Sequence, residues 1–243
     1  MSSKNIYIVI GASKGLGYSL IKLAKTKGMT FGISRSIRDD ETDNHVQINC
    51  DVSNLKEIPS IMKRIDGQLP SEINRIYLFN NASTIQPIKP LAEVGITELK
   101  NSFDLNLLAP IIISGEFIKI LQSRKFNHST IVNISSGVSK KAIKGWGSYC
   151  ITKAGLNMFT ECIPVESNNK KIFSVSINPG ALDTDMQKEI RDGDASKFSV
   201  VTKFKEMYEM GELKNTDQVA RKIFKLCDEN NFINGSFIDF NNL

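Results

Sequence analysis

Gly11-Ala12-Ser13-Lys14-Gly15-Leu16-Gly17 is the stretch that decides the architecture. It follows a short β-branched apolar run, residues 5–10. It opens a segment, residues 16–27, in which Leu16, Leu20, Leu23 and Ala24 fall on one helical face. A glycine turn between a strand and a helix lets the backbone come close to a pyrophosphate. The helix N-terminus then adds N–H groups and the positive end of its dipole. The spacing is GxxxGxG rather than GxGxxG, and glycines alone also fit a purely structural turn. Position between the first strand and the first helix carries the phosphate reading. On it, Gly11, Ser13, Lys14, Gly15, Leu16 and Gly17 are expected to bind a cofactor.

Outward from this turn, strand and helix patterns alternate. Strands are expected over 30–34, 46–49, 75–79, 130–134, 172–177 and 237–240. Helices are expected over 54–65 with Ser53 as N-cap, over 97–121 with a break or kink at Pro110, over 149–165, and over 216–229. Pro164 predicts a kink or early end of the third. The alternation implies a single-domain α/β fold over residues 1–243: a Rossmann-type, doubly wound parallel sheet of about seven strands with helices on both faces. Residues 180–214 read as one long irregular stretch after a strand end, where open α/β sheets bind ligands. A substrate lid is the functional reading and a disordered surface loop the plain one.

The chain has 243 residues, 41% hydrophobic and 23% charged, enough to bury a core without disulfides or metals. Its net charge of +5, from 31 Lys+Arg against 26 Asp+Glu, is scattered. Lys140, Lys141 and Lys144 come closest to a patch. Without interleaved aromatics they read as a solvated face, not a nucleic-acid site. A modest positive field also suits a phosphorylated cofactor. Cys50, Cys150, Cys162 and Cys227 form no CxxC pair, and the first residues show no signal-peptide pattern, so a cytoplasmic protein with reduced thiols is expected. The longest apolar run, 107–113, is too short to cross a membrane. His45 and His128 lack ligand spacing, so no metal is expected.

Cofactor choice is read at the end of the second strand. An acid there would take the ribose 2′-hydroxyl of NAD. This chain has Ser34-Arg35-Ser36. Arg35 can pair with a 2′-phosphate and Lys14 is a second cation, which favours NADPH/NADP+. The alternative is two solvated surface cations.

Tyr149-Cys150-Ile151-Thr152-Lys153 puts Tyr149 and Lys153 on one face of a helix. A phenol is a poor acid near pKa 10, and a nearby ammonium favours phenolate and lowers that value. Alone, the pair is equally two surface residues at helical spacing. Around it, Asn80-Asn81-Ala82-Ser83, Ser135-Ser136 and Asn178-Pro179-Gly180 end successive strands at the functional edge of a parallel sheet. A serine there can hydrogen-bond a carbonyl oxygen.

Over nearly its whole length the chain resembles the short-chain dehydrogenase/reductase family. Gly11–Gly17, Asn80–Ala82, Asn106, Ser136, Tyr149, Lys153 and Pro179-Gly180 occur in the family's order. The family's serine-to-tyrosine spacing reaches Ser136, not Ser135. The resemblance implies that Tyr149 is the proton donor, that Ser136 holds the carbonyl oxygen, and that Asn106 helps a proton-supplying water chain. Lys153 would lower the Tyr149 pKa and bind the nicotinamide ribose. Asp51 and Val52 would lie by the adenine and Thr184 by the nicotinamide carboxamide, and Asn80, Asn81, Ala82, Pro179, Gly180 and Leu182 would also bind the cofactor. The pattern departs at Ile10, where threonine is common, and at Ser83, where glycine is usual. Gly145–Cys150, Pro179–Gln187 and Phe237–Phe240 resemble the sepiapterin-reductase and bacterial benzil-reductase branch.

That branch makes Asp239 a substrate anchor, against a strand-end aspartate satisfied by backbone. It makes Trp146 a pocket wall, against simple packing. The expected function is NADPH-dependent reduction of a ketone or vicinal diketone, and the family resemblance implies a homodimer or homotetramer with 97–121 and 149–165 at the interface. A non-catalytic NADP(H)-binding sensor or scaffold is the alternative from another class. A serine hydrolase using Ser136 would lack its histidine.

Overall fold

Short runs rich in Ile, Val and Phe become seven parallel strands: β1 (Lys4–Ile10), β2 (Met29–Ser34), β3 (His45–Asn49), β4 (Glu72–Asn80), β5 (Lys125–Ile134), β6 (Ile172–Asn178) and β7 (Ser236–Asp239). They form one sheet in the order β3-β2-β1-β4-β5-β6-β7. The computed structural model describes residues 4–38, 42–194, 196, 198 and 200–242. Because helices cover both faces, the inner strands bury alternate residues on each side rather than alternating with solvent. Ile6, Ile8 and Ile10 of β1 join one core layer. Tyr7 and Val9 join the other, against α1 (Gly15–Ala24) and α8 (Thr216–Asp228). The strand order reverses between β1 and β4, and the crevice above that point is where such sheets hold ligands.

Four local expectations are corrected. The helix expected from residue 54 begins as a 3-10 turn (Leu55–Glu57) and becomes α2 (Ile58–Asp66) only afterwards. Ser53 does not cap it, because Ser53 N and Oγ both donate to Asp51 Oδ1, at 3.0 and 2.7 Å. Pro59 instead sits in the first turn of α2, where its fixed φ suits a helix start. The helix expected over 97–121 is α3 (Ile96–Phe103), a π turn (Asp104–Leu108) and α4 (Ala109–Gln122). The break precedes Pro110, which lies harmlessly in the first turn of α4.

α5 (Gly147–Glu166) runs through Pro164 without ending early. The carbonyl that Pro164 cannot pair is that of Thr160, and Ser174 Oγ donates to it at 2.8 Å. The stretch 180–214 is not one irregular run: its described residues hold α6 (Asp185–Arg191) and α7 (Val201–Glu209). Lys214 N donates to Ala181 O at 2.8 Å and Asp183 N to Lys214 O at 3.1 Å, so the excursion is pinched at its base. Its apolar residues, Ile190, Phe198 and Val201, bury with Trp146 and Tyr149 in a third cluster away from the sheet.

Candidate active site

The C-terminal strand ends open into a cleft of about 660 Å³. Its first wall is the glycine turn. Gly11 adopts φ +79°, and a Cβ there would lie 2.9 Å from the Ala82 backbone; a Cβ on Gly17 would lie 1.9 Å from Gly11 O. Gly17 therefore stands behind the wall and permits the turn, whereas Gly11, Ser13, Lys14, Gly15 and Leu16 line it. α1 has no side-chain cap and no acidic residue in its first turn, which leaves its leading N–H groups to an anion. This cradle fits a dinucleotide pyrophosphate.

Further along, Ser34, Arg35, Asp51 and Val52 line the same cleft. The Arg35 side chain has no partner among the described residues. Lys14 is not free: its Nζ lies 3.3 Å from Asp185 Oδ2, an exposed pair of small energetic weight. Arg38 is a cation the sequence reading passed over. Its Nε donates to Ser13 O at 2.8 Å and its guanidinium lies 3.8 Å from the centre of the Tyr18 ring. It sits four residues past the end of β2, where no pattern marks it.

The middle of the cleft comes from β4 and β6. Asn81 Nδ2 donates to Gly11 O at 3.0 Å and ties β4 to the glycine turn, with Asn81 and Ala82 in the wall. Asn80 is buried beneath, donating to Asn133 Oδ1 at 2.8 Å. Pro179, Gly180, Leu182 and Thr184 line the opposite side. Asp239 is not brought to the cleft. It accepts from Asn178 Nδ2 at 2.8 Å and from Asn241 N at 2.9 Å. Asn178 Oδ1 in turn accepts from Gly180 N at 3.1 Å, so Asp239 braces the Pro179-Gly180 turn.

At the chemical end, β5 delivers Ser136 and α5 delivers Tyr149 and Lys153. All three line the cleft. Tyr149 is 7% exposed and Lys153 3%. Burial pushes the Tyr149 phenol up to about 12, while contact with the Ser136 and Ser83 hydroxyls pulls it down. Burial pushes Lys153 down to about 7. Lys153 Nζ donates to Ile134 O at 2.8 Å and lies 5.6 Å from the centre of the Tyr149 ring.

Asn106 lies in the π turn, a rare geometry that recurs at functional sites. Its carboxamide does not line the cleft. It clamps the loop after β4, accepting from Thr84 N at 2.8 Å and donating to Thr84 O at 2.8 Å. Ser83 Oγ donates to the same Asn106 Oδ1 at 3.1 Å. Ser83, noted from sequence only as a departure from glycine, thus joins Asn106 to the Tyr149 phenol.

Beyond Tyr149 the cleft is lined by Ile85, Val138, Ile143, Met186, Ile190 and Phe204. Trp146 lines it too, and its ring lies 5.4 Å from that of Tyr149 and 4.5 Å from that of Phe198. Among the described residues no group of three or more His, Cys, Asp or Glu could hold a metal ion, and no helix is long and apolar enough to cross a membrane.

A doubly wound sheet with a glycine-rich turn at its switch point and a buried tyrosine-lysine pair beside it defines a Rossmann-type oxidoreductase. A family model for short chain dehydrogenases matches residues 5–195, and the chain belongs to that family. A benzil reductase ((S)-benzoin forming) from Bacillus subtilis is 34% identical over 228 residues, 92% of this chain and 93% of that protein. Bovine sepiapterin reductase is 26% identical, covering 98% and 94%. The solved structure of a Saccharomyces cerevisiae short chain dehydrogenase/reductase superposes with TM-score 0.84 at 21% identity, covering 98% and 96%.

Proposed function

We propose that residues 1–243 form a single NADPH-dependent carbonyl reductase that converts a ketone or vicinal diketone to the alcohol, in the manner of the benzil and sepiapterin reductases it resembles. The observation that carries this reading is the continuity of one cleft from the Gly11–Leu16 cradle to Tyr149, Ser136 and Lys153. A nicotinamide dinucleotide held there would supply the hydride for the carbonyl carbon.

The chain's own groups do the rest. Ser136 Oγ donates to the substrate oxygen and polarises the carbonyl. Tyr149 Oη–H transfers its proton to that oxygen as negative charge develops there. Lys153 offers its Nζ to the ribose, and Asn106 holds the Ser83-Thr84 loop against the donor. Arg35 and the Gly11–Leu16 turn select and seat the phosphates. Closure of the 180–214 segment excludes water.

The cytoplasm and a homodimer or homotetramer complete the proposal. Four free cysteines suit a reducing compartment. Ile96, Leu108, Ile151 and Met158 leave apolar surface on α3, the π turn and α5 for a second copy. The test is loss of NADPH absorbance with benzil, sepiapterin and simple ketones, each against NADH. Tyr149→Phe should lower turnover about a thousandfold or more while NADPH binding, read by its fluorescence, stays within about twofold. Substantial turnover by that variant refutes the assigned donor.

A further inference from the structure

The substrate half of the cleft holds two N–H donors with nothing to give them to. Gln187 is 3% exposed and Trp146 2%, and both line the cleft. Among the described residues Gln187 Nε2 and Trp146 Nε1 have no hydrogen-bond partner. Buried donors are seldom left so, and those that are need a reason.

Gln187 is the more sharply defined of the two. It stands three residues after the N-cap Thr184, and Thr-x-x-Gln is the sequence form of a capping box. Half of that box forms: Thr184 Oγ1 accepts from Gln187 N at 3.3 Å. The carboxamide is not spent on the return bond. Its Oε1 accepts instead from Arg191 Nη1, one turn further along α6. A guanidinium can only donate, so this contact decides which end of the amide is oxygen and leaves the NH₂ as the unpaired end. Arg191 is itself seated 3.8 Å from the centre of the Tyr208 ring on α7. The amide is therefore oriented from behind before any substrate arrives. The surrounding wall is mostly apolar, with Lys141 and Lys203 as its charged members, so few polar groups are available for recognition.

We propose that Gln187 reads a second oxygen on the substrate, one that accepts a hydrogen bond beyond the carbonyl being reduced. The substrate class is then a 1,2-dicarbonyl or an α-oxygenated ketone, and Trp146 Nε1 is a further donor on the same wall. The inference rests on the carbonyl-reductase reading and deepens it. A site that donates to a substrate oxygen discriminates strongly against the analogue that lacks it.

The experiment compares benzil with deoxybenzoin, the same skeleton lacking one oxygen, in the wild type, Gln187→Leu and Gln187→Asn. Intrinsic reactivity differs between the ketones but cancels when their kcat/KM ratio is compared across enzymes. The expected result is a benzil-to-deoxybenzoin ratio that falls about tenfold or more in Gln187→Leu, with deoxybenzoin turnover and NADPH affinity near wild type. The chain has a single tryptophan, Trp146, whose fluorescence reports binding without turnover. Benzil affinity of the NADP+-loaded protein should weaken by the same factor and deoxybenzoin affinity should not.

An unchanged ratio together with unchanged binding overturns the inference and leaves the reductase reading intact. A loss confined to NADPH affinity also overturns it, since the amide would then serve the cofactor. A wild-type protein that binds benzil through Gln187 yet reduces no ketone overturns the reductase reading and keeps the subsite.

Discussion

The two halves of the cleft are built in different ways. The dinucleotide half is made of strand ends and one turn, fixed by backbone: Gly11 N donates to Ile33 O at 2.7 Å, and Asn81 N to Ile10 O at 3.2 Å. The substrate half is made of α6 and α7, fixed by side chains: Trp146 against Phe198, Arg191 against Tyr208, and the strap through Lys214. Backbone geometry admits one shape and serves any ligand of that shape. Packed side chains can be exchanged without unmaking the sheet, so specificity is free to vary there. Substitutions should then fail differently: the first half should lose its cofactor, the second should lose only its choice of substrate.

Gly17→Ala is the hardest blow to the backbone half. Its new methyl would meet Gly11 O at 1.9 Å and Asn81 Nδ2 at 2.5 Å. Either the turn opens or the protein loses stability. We expect NADPH affinity, titrated by fluorescence, to fall by about a hundredfold or more, because the cradle no longer closes on the phosphates. Near-normal affinity in this variant would break the contrast between the halves. Arg35→Ala comes next. A charge-assisted bond to phosphate contributes about 1.5–3 kcal/mol, so KM for NADPH should rise about ten- to a hundredfold while KM for NADH moves little. An equal rise for both would return Arg35 to an ordinary surface cation.

This division also explains what the sequence made legible. Glycine spacing, β-branched runs and the Tyr149–Lys153 spacing are local, and they placed all seven strands and most of the dinucleotide wall. The substrate half depends on contacts that no window of sequence contains. The 180–214 stretch looked irregular because its helices, α6 and α7, are only 7 and 9 residues long, and their apolar residues bury in a cluster with Trp146 and Ile85. Gln187 lay in plain view, yet its meaning needs Arg191 and Tyr208. Asp239 shows the converse: its place at a strand end was legible, but not that Asn178 and Asn241 had already claimed it. Likewise Pro164 predicted an ending, and only the fold supplied Ser174 to its freed carbonyl.

Lys153 connects the halves and should carry a stability cost that depends on pH. Burial holds its folded pKa near about 7, whereas an unfolded lysine keeps its proton to about 10.4. Between these values the unfolded chain binds more protons, so wild-type stability rises with pH through that window. Lys153→Met has no such group. Its Tm should exceed wild type by a few degrees at pH 6, with the gap closing towards pH 10, while turnover is lost. A gap constant with pH would mean that the buried ammonium is not the source.

Ser83 offers the smallest and most discriminating change, because it stands where the two halves meet. The family's usual glycine at this position has no hydroxyl; here Ser83 Oγ donates its one hydrogen to Asn106 Oδ1 at 3.1 Å and stands beside the phenol. As the Tyr149 proton leaves, the Ser83 hydroxyl can turn that hydrogen from Asn106 Oδ1 to the phenolate and stabilise it. Ser83→Gly should therefore lower kcat about three- to tenfold, the effect of one hydrogen bond, with KM for NADPH unchanged. The sign on the pH profile is fixed. Reduction needs the protonated phenol, and removal of a group that pulls its pKa down moves the alkaline loss of activity to higher pH. Ser83→Thr keeps the hydroxyl and should restore both the rate and the position of that limb. If Ser83→Gly slows the enzyme without moving the limb, Ser83 only shapes the loop. The meeting point of the two halves would then be structural, and the tuning of Tyr149 would fall to Ser136 alone.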